Sequence, residues 1–397
     1  MHDELKTKVA RHGTEAFGPA WQPDGWTIAP GRIELIGNHI DYNGGPVLAA
    51  AIDRVIVMAT GPIDDPRQIA LAAPDATEEI ARFAPLEIGD WRSSQGDEGP
   101  IVYVKGIVAA LLARKIPIRT GVGLAAVGNI PPGFGMSSSA ALCLATILAL
   151  TVDEIEPYEM VAIAREAEHR AGSPVGAMDQ SASVAGNVIL FDGRNNTYAS
   201  IAPDLGGYVF AVADSGVERS LRTSSYGKRV EETEEARKRL AQAYDLYLPN
   251  LAALEPHWAD IEPTIGKHLP PALVRRVRHV VTETIRVRQA EDAARTGHWT
   301  AFGELMNASG ESSATDYEIS HPIVEELVAL LRSQDGVAGA RMMGGGEGGP
   351  ALVLLQKDAV EPVRDALQAS FYADHPVKSA EPFQVCSFGP GARREPA

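Results

Sequence analysis

The chain is poor in the features that would place it outside the cell, in a membrane or on nucleic acid. Cysteine occurs only at Cys143 and Cys386 in 397 residues. Two cysteines form no disulfide framework, so a reducing, cytoplasmic setting is expected. Long apolar runs are missing as well. The most apolar stretch, residues 140–150 (Ala-Ala-Leu-Cys-Leu-Ala-Thr-Ile-Leu-Ala-Leu), falls short of the roughly 20 residues that span a bilayer and suits a buried helix. The first residues, Met-His-Asp-Glu-Leu-Lys-Thr-Lys, contain no apolar core, so no signal peptide is expected. Positive charge is in deficit: 36 basic against 52 acidic residues leave a net charge of −16. That disfavours sequence-independent nucleic-acid binding, although a local basic patch can hold phosphates. No internal repeat and no low-complexity segment occurs. Gly-x-x-x-x-Gly-Lys-Ser/Thr is absent, which excludes a Walker-type phosphate loop.

The composition is that of an ordinary globular protein, 45% hydrophobic and 22% charged, and the length allows two domains. Patterning predicts an amphipathic helix over 1–18 and a strand over 47–60, interrupted by Asp53 and Arg54. Short strands and loops are expected over 61–100, a helix over 102–114 and a strand over 121–127. Helices over 140–150 and 157–171 and strands over 184–191 and 207–214 follow. A charged helix over 231–243 carries Glu234/Lys238 and Glu235/Arg239 at i,i+4 spacing. Further helices are expected over 271–297 and 322–333, and a strand over 351–355. Helical character increases near residue 200, which suggests domains at 1–200 and 201–397.

Three blocks carry chemistry. Residues 30–48 crowd Arg32, Asn38, His39, Asp41 and Tyr42 among glycines at 31, 37, 44 and 45. So many directional donors and acceptors suit a small polyol, and a decorated structural loop is the alternative. Residues 131–141, Pro-Pro-Gly-Phe-Gly-Met-Ser-Ser-Ser-Ala-Ala, lie between an expected strand and an expected helix. Glycines that free backbone N–H groups, a helix N-terminus and serine hydroxyls can together hold an anion or ligate Mg²⁺. This loop lacks Gly-x-Gly-x-x-Gly spacing, and a serine-rich helix cap is the plainer reading. Residues 167–180 carry Glu168, His169 and Asp179, where the plain reading is a charged helix end.

The first block resembles the sugar-binding signature of galactokinases, Gly-Arg-x-Asn-Leu-Ile-Gly-Glu-His-x-Asp-Tyr-x-x-Gly-x-Val-Leu, with Asn38 in place of the Glu before His. The second resembles the Pro-x-Gly-x-Gly-Leu-Ser-Ser-Ser-Ala loop of GHMP kinases, with Met136 in place of Leu. Gly176-x-Met178-Asp179-Gln180 resembles the galactokinase segment that bears the catalytic Asp. Residues 214–229 resemble the family's segment ending in Tyr-x-x-Arg, here Tyr226 to Arg229. Residues 344–349 resemble the third GHMP motif, with Glu347 in place of Phe.

The resemblance implies an α+β fold of two domains, an N-terminal mixed α/β domain and a C-terminal ferredoxin-like domain, with the active site in the cleft between them. It implies an ATP-dependent sugar 1-kinase that uses Mg²⁺ and phosphorylates the anomeric hydroxyl of galactose. Asp179 would serve as base or electrostatic anchor, and Arg32 would pair with it and with the developing phosphoryl charge. Asn38, His39, Asp41, Gly176 and Tyr226 would bind sugar. Pro132, Gly133, Gly135, Met136, Ser137, Ser138, Ser139, Gly345 and Gly346 would bind ATP, and Ser139 with Glu168 would hold the metal. His169 reads as structural. A monomer or homodimer is expected, with no nucleic-acid or membrane partner. Asn38 keeps hydrogen-bonding capacity but loses a charge. That opens the alternatives of a galacturonate-type uronic acid or of a sugar lacking C6, such as arabinose. Rival readings are a kinase for an isoprenoid or amino-acid alcohol and a non-catalytic sugar sensor. The sugar signature argues against the former, and intact Arg32, Ser137–Ser139 and Asp179 argue against the latter.

Overall fold

The computed structural model describes residues 2–93, 99–131, 133–173, 175–218 and 225–396. Among them, the first half of the chain forms α1 (His2–Phe17), β1 (Gly25–Ile36), β2 (Pro46–Pro62), β3 (Ile69–Ala72), β4 (Ala81–Phe83), α2 (Ile101–Ala113), β5 (Val122–Gly128), α3 (Ser138–Leu150), α4 (Pro157–Arg170), α5 (Met178–Ala185), β6 (Val188–Asp192) and β7 (Thr197–Ile201). The second half forms β8 (Tyr208–Ala213), α6 (Tyr226–Ala243), α7 (Trp258–Ile261), α8 (Pro271–Thr296), α9 (Trp299–Thr315), α10 (Pro322–Arg332), β9 (Val337–Met342), β10 (Ala351–Gln356), α11 (Val360–Ala369), α12 (Phe371–Asp374), β11 (Phe383–Cys386) and β12 (Arg393–Glu395).

The long strand β2 organises the first sheet. It pairs along its length with β1, with β5 at one end and with β6 at the other, and the eight-stranded sheet runs β12-β1-β2-β5-β3-β4 with β6 and β7 beside it. The interruption expected at Asp53 and Arg54 takes the form of a bulge within a continuous strand. Residues 52–54 of β2 bulge opposite Gly31 of β1, and there the strand is met by residues 384–388, with Asp53 N–H donating to the Ser387 carbonyl at 2.9 Å and Arg54 Nε to Gln384 Oε1 at 3.2 Å. Polar side chains persist in the strand because the chain's other end satisfies them. Helix α3 is apolar on every side and nearly every residue in it is buried, as expected for a helix enclosed by neighbours. It lies against β1 and β2, with α2, α4 and α5 around it.

The strand expected over 184–191 starts later, at Val188. Met178–Ala185 is instead a helix, which an eight-residue stretch rich in Ser and Ala does not advertise by periodicity. Helix α9 was not expected either. Its Gly303 and its serines obscure the apolar stripe, yet its Phe302, Met306 and Ser309 are buried.

The second sheet runs β11-β8-β10-β9, all antiparallel. Helices intervene between β8 and β9 and between β10 and β11, so its topology is βαββαβ with the fourth strand beside the first, the ferredoxin-like arrangement. The chain crosses from the first sheet to the second between Ile201 and Tyr208. It returns at the end, where β12 pairs with β1. The expected second domain, 201–397, thus gives its last strand to the first sheet. No helix of the described residues is long and apolar enough to cross a membrane.

Helix α9 sits on β9 through two glycines in close approach. A Cβ on Gly303 would lie 2.3 Å from the Ala338 carbonyl oxygen, and one on Gly339 would lie 2.3 Å from that of Gly303. Backbone meets backbone, so no side chain can yield. Gly303→Ala is expected to lower stability by about 1–3 kcal/mol through overpacking, read as a lower urea midpoint with the slope unchanged; an unchanged midpoint would refute the tight seat.

Candidate active site

β1 delivers Arg32 to the glycine–serine loop. A Cβ on Gly31 would lie 2.5 Å from the Met136 carbonyl oxygen, and the Arg32 N–H donates to that oxygen at 3.0 Å, so the loop rides on the strand. The buried guanidinium of Arg32 donates through Nε to Asp179 Oδ1 and through Nη2 to Asp179 Oδ2, both at 2.7 Å, and through Nη1 to the Gly135 carbonyl at 2.6 Å. Asp179 sits in the first turn of α5, where the helix dipole favours a carboxylate. Ser137 Oγ also donates to Asp179 Oδ2.

Ser137 precedes α3 at φ 55°, in the left-handed region, and its side chain does not cap the helix. A serine cap is therefore not its role. A non-glycine residue held there costs of order 1–3 kcal/mol, and such strain gathers at functional loops. Gly133, Gly135, Met136, Ser137, Ser138, Ser139 and Glu168 line one compartment. Pro132 lies outside the described residues.

Ser139 Oγ donates to Glu168 Oε1 at 2.7 Å, and Gln180 Nε2 donates to Glu168 Oε2. Burial pushes the Glu168 carboxyl up to about 7, and the nearby Asp179 adds to the shift against the hydrogen bonds from Ser139 and Gln180 and the charge of Arg32. A hydroxyl and a buried carboxylate on this compartment are hard oxygen donors of the kind Mg²⁺ prefers, so this pair fits that ion. His169 Nε2 meets the Val175 carbonyl at 2.8 Å and ties down the turn after α4.

Beyond the Arg32–Asp179 pair lies a second compartment, lined by Glu34, Asn38, His39, Asp41, Gly176, Tyr226, Gly344 and Gly345, and sharing Arg32, Val175 and Asp179 with the first. Its floor is aromatic. His39 Nδ1 meets the Tyr42 hydroxyl at 2.9 Å, which meets the Tyr317 hydroxyl at 2.9 Å, and Tyr226 lies tilted against His39 and edge-on to Tyr42 with ring centroids 5.2 Å away. A Cβ on Gly176 would lie 2.1 Å from Asp41 Oδ2, so a larger residue in the 175–178 turn would have to displace the carboxylate. Gly345, expected at the nucleotide, borders this compartment, whereas Gly346 is buried against the Ile319 carbonyl and lines neither. Glu347 does not face the phosphate loop. Its Oε2 accepts from Ser225 N–H at 3.0 Å, at the N-terminus of α6, a favourable seat for a carboxylate. Arg229 anchors the same helix through the Tyr317 and Glu318 carbonyls, at 2.7 and 3.0 Å.

Sequence reasoning did not single out the buried charges behind this site. Arg341 on β9 is wholly buried and donates to the Glu34 and Leu35 carbonyls and, at 2.8 Å, to Glu34 Oε1. Glu283 on α8 is also wholly buried. Its Oε1 accepts from the N–H groups of Gly37 and Asn38 at 3.0 and 3.3 Å and from Ser309 Oγ at 2.5 Å, while Oε2 accepts from Arg286 at 2.7 Å. Burial works to raise the Glu283 carboxyl, but the charges of Arg286, His279 and Arg341 and the hydrogen bond from Ser309 together hold it below the usual range. The charge pattern of α8 is that of a solvated helix, and nothing in one sequence marks Glu283 as inward-facing.

The GHMP kinase N-terminal domain model matches residues 102–187, the C-terminal model residues 290–373, and the galactokinase galactose-binding signature residues 14–62. A galactokinase from Chloroflexus aggregans is 35% identical over 381 residues, 91% of each chain. The chain belongs to the galactokinase family of GHMP kinases. The galactokinase of Bos taurus is 33% identical over 93% of each chain. A crystal structure of Lactococcus lactis galactokinase complexed with galactose aligns with a TM-score of 0.86 at 28% identity, covering 98% of this chain and 99% of that one. Mevalonate kinases share the fold more distantly, one at 16% identity with a TM-score of 0.66. Set against the galactokinase signature, the chain carries a second departure: Glu34 stands where the signature has Asn. The exchange of Glu and Asn between positions 34 and 38 was legible in the sequence.

Asp41 is the titratable group of the galactokinase signature with the clearest consequence. Burial, reinforced by the charges of Glu34 and Asp179, pushes its carboxyl from an ordinary 3.8 up to about 7, against hydrogen bonds from the backbone. A carboxyl raised in the fold binds a proton on folding, so it weakens the native state progressively from about pH 4 to 7 and fully above that. Asp41→Asn removes this penalty. Relative to the parent, the variant is expected to melt higher at pH 8 than at pH 4; an equal offset at both would refute the shift.

Proposed function

We propose that the chain transfers the γ-phosphoryl group of ATP to the C1 hydroxyl of galactose, giving galactose 1-phosphate and ADP. The observation that carries this reading is the continuity of the two compartments at Arg32 and Asp179. One compartment has the backbone N–H groups, helix N-terminus and hydroxyls of a phosphate site. The other has the donors, acceptors and aromatic floor of a monosaccharide site. The curated relatives are galactokinases, and a galactose complex shares the fold.

The sugar enters between His39, Asp41, Gly176 and Tyr226 with its C1 hydroxyl toward Asp179. Asp179 accepts the hydrogen bond from that hydroxyl and aligns its oxygen with the γ-phosphorus, the positioning on which phosphoryl transfer depends. The new C1–O–P linkage forms as the bond from phosphorus to the β,γ-bridging oxygen breaks, and the hydroxyl proton leaves by way of the Asp179 carboxylate. Arg32, held by that carboxylate and the Gly135 carbonyl, keeps its positive charge beside the transferred group. Ser137, Ser138, Ser139 and the start of α3 hold the β- and γ-phosphates. Mg²⁺, when bound, would neutralise charge between those phosphates, with Ser139 and Glu168 as its protein ligands. The nucleobase lies over the apolar slot of Ile56, Val102, Tyr103 and Leu142, which shares Tyr103, Ser138, Ser139 and Ser173 with the phosphate compartment.

Asp179→Asn keeps the shape but leaves Arg32 without its partner charge. Galactose-dependent ADP release is expected to fall by at least ~10²–10⁴-fold, with ATP affinity by calorimetry changing far less. Turnover near the parental rate would sink the assignment of Asp179.

A further inference from the structure

The exchanged residues Glu34 and Asn38 differ sharply in what satisfies them. The Glu34 carboxylate is held by Arg341 at 2.8 Å, and that guanidinium is wholly buried. Charge at position 34 is thus matched within the protein. Asn38 is fixed by its backbone instead, its N–H donating to Glu283 Oε1 and its carbonyl accepting from His279 Nε2 at 2.9 Å. Its side chain is fully buried and lines the sugar compartment, yet neither Oδ1 nor Nδ2 has a hydrogen-bond partner among the described residues. A buried polar group left without a partner is destabilising. An amide fixed in this way calls for a ligand atom.

Its place in the compartment says which part of the ligand. Arg32 and Asp179 mark the transfer end, beside the serine loop, whereas Asn38 lines only the sugar side. Asn38 follows the end of β1 at Ile36 and, unlike Arg32, Val175 and Asp179, does not line the serine-loop compartment, so it faces the part of the sugar away from the transfer end.

We infer that Asn38 is a specificity-determining residue for that remote end. Together with the Arg341-matched Glu34, it extends the substrate range to a hexuronate, whose terminal carbon bears a carboxylate. This rests on the galactose reading above. A carboxylate at position 38 accepts hydrogen bonds only and repels an anionic substituent. The amide donates through Nδ2 and accepts through Oδ1, so it satisfies both the hydroxymethyl group of galactose and an acceptor-only carboxylate. Glu34 is matched by Arg341 and Asp179 by Arg32; Asp41 also lines the compartment, and because burial pushes its carboxyl up to about 7, it meets the anionic sugar only partly ionised at neutral pH. A sugar lacking oxygen at that end leaves the amide unpaired and is disfavoured.

The test compares kcat/KM for galactose, galacturonate and 6-deoxygalactose with Mg²⁺-ATP, by coupled ADP release, in the parent and two variants. The parent is expected to phosphorylate galacturonate. Exchange of both residues, Glu34→Asn with Asn38→Glu, is expected to lower the galacturonate-to-galactose ratio at least about tenfold, the value of 1.4 kcal/mol. Asn38→Ala, which adds no charge and decides the matter if the exchange does not fold, is expected to relax discrimination against 6-deoxygalactose at least about tenfold. Galactose turnover without galacturonate turnover, or ratios unmoved in both variants, would overturn the inference and leave the galactose reading standing. Phosphorylation of galacturonate alone, lost on exchange, would support the role of Asn38 and overturn galactose as the substrate.

Discussion

The forked pair between Arg32 and Asp179 ties together three segments: strand β1, the first turn of α5 and the glycine–serine loop. A planar guanidinium with both carboxylate oxygens engaged has little freedom to pivot, so the two compartments share a wall of defined position. Gly31 makes the pair possible by letting the loop lie directly on β1. Ser137, bent into the left-handed region, adds a third donor to the same carboxylate. Cost and benefit fall at one point: the chain accepts backbone strain and buried charge at the wall between the two compartments.

A second ring of buried charge comes from the other half of the molecule. Arg341 on β9 and Glu283 on α8 reach across to the backbone of residues 34–38. Buried ions are poor sources of stability, since desolvation offsets much of their attraction. Their value here is positional, because backbone bonded from two directions cannot drift. Asn38 is consequently presented with an unsatisfied amide rather than left to find a partner.

Much of the site was legible in the sequence because its chemistry is local. Arg32 to Tyr42, the serine loop and the segment ending at Asp179 are short runs whose residue types state their work, and the structure brings them together. Elements with strong periodicity or composition, such as α3 and β8, were equally legible. The parts that were not depend on distant partners. β2 runs through Asp53 and Arg54 because residues 384–388 satisfy them. Short α5 and glycine-bearing α9 owe their helicity to packing rather than to an apolar stripe. Glu347 looked misplaced in a phosphate-facing motif until α6 supplied an N–H group for it. Glu283 and Arg341 resemble ordinary surface charges until the fold encloses them.

The central claim is that the Arg32–Asp179 wall directs phosphoryl transfer to the anomeric hydroxyl. Phosphorus NMR of the products from Mg²⁺-ATP and galactose tests it most directly. The account predicts one new phosphomonoester, coupled to the anomeric proton, formed in step with ADP. Phosphate on any other sugar hydroxyl, or ADP formed at the same rate without sugar, would contradict it.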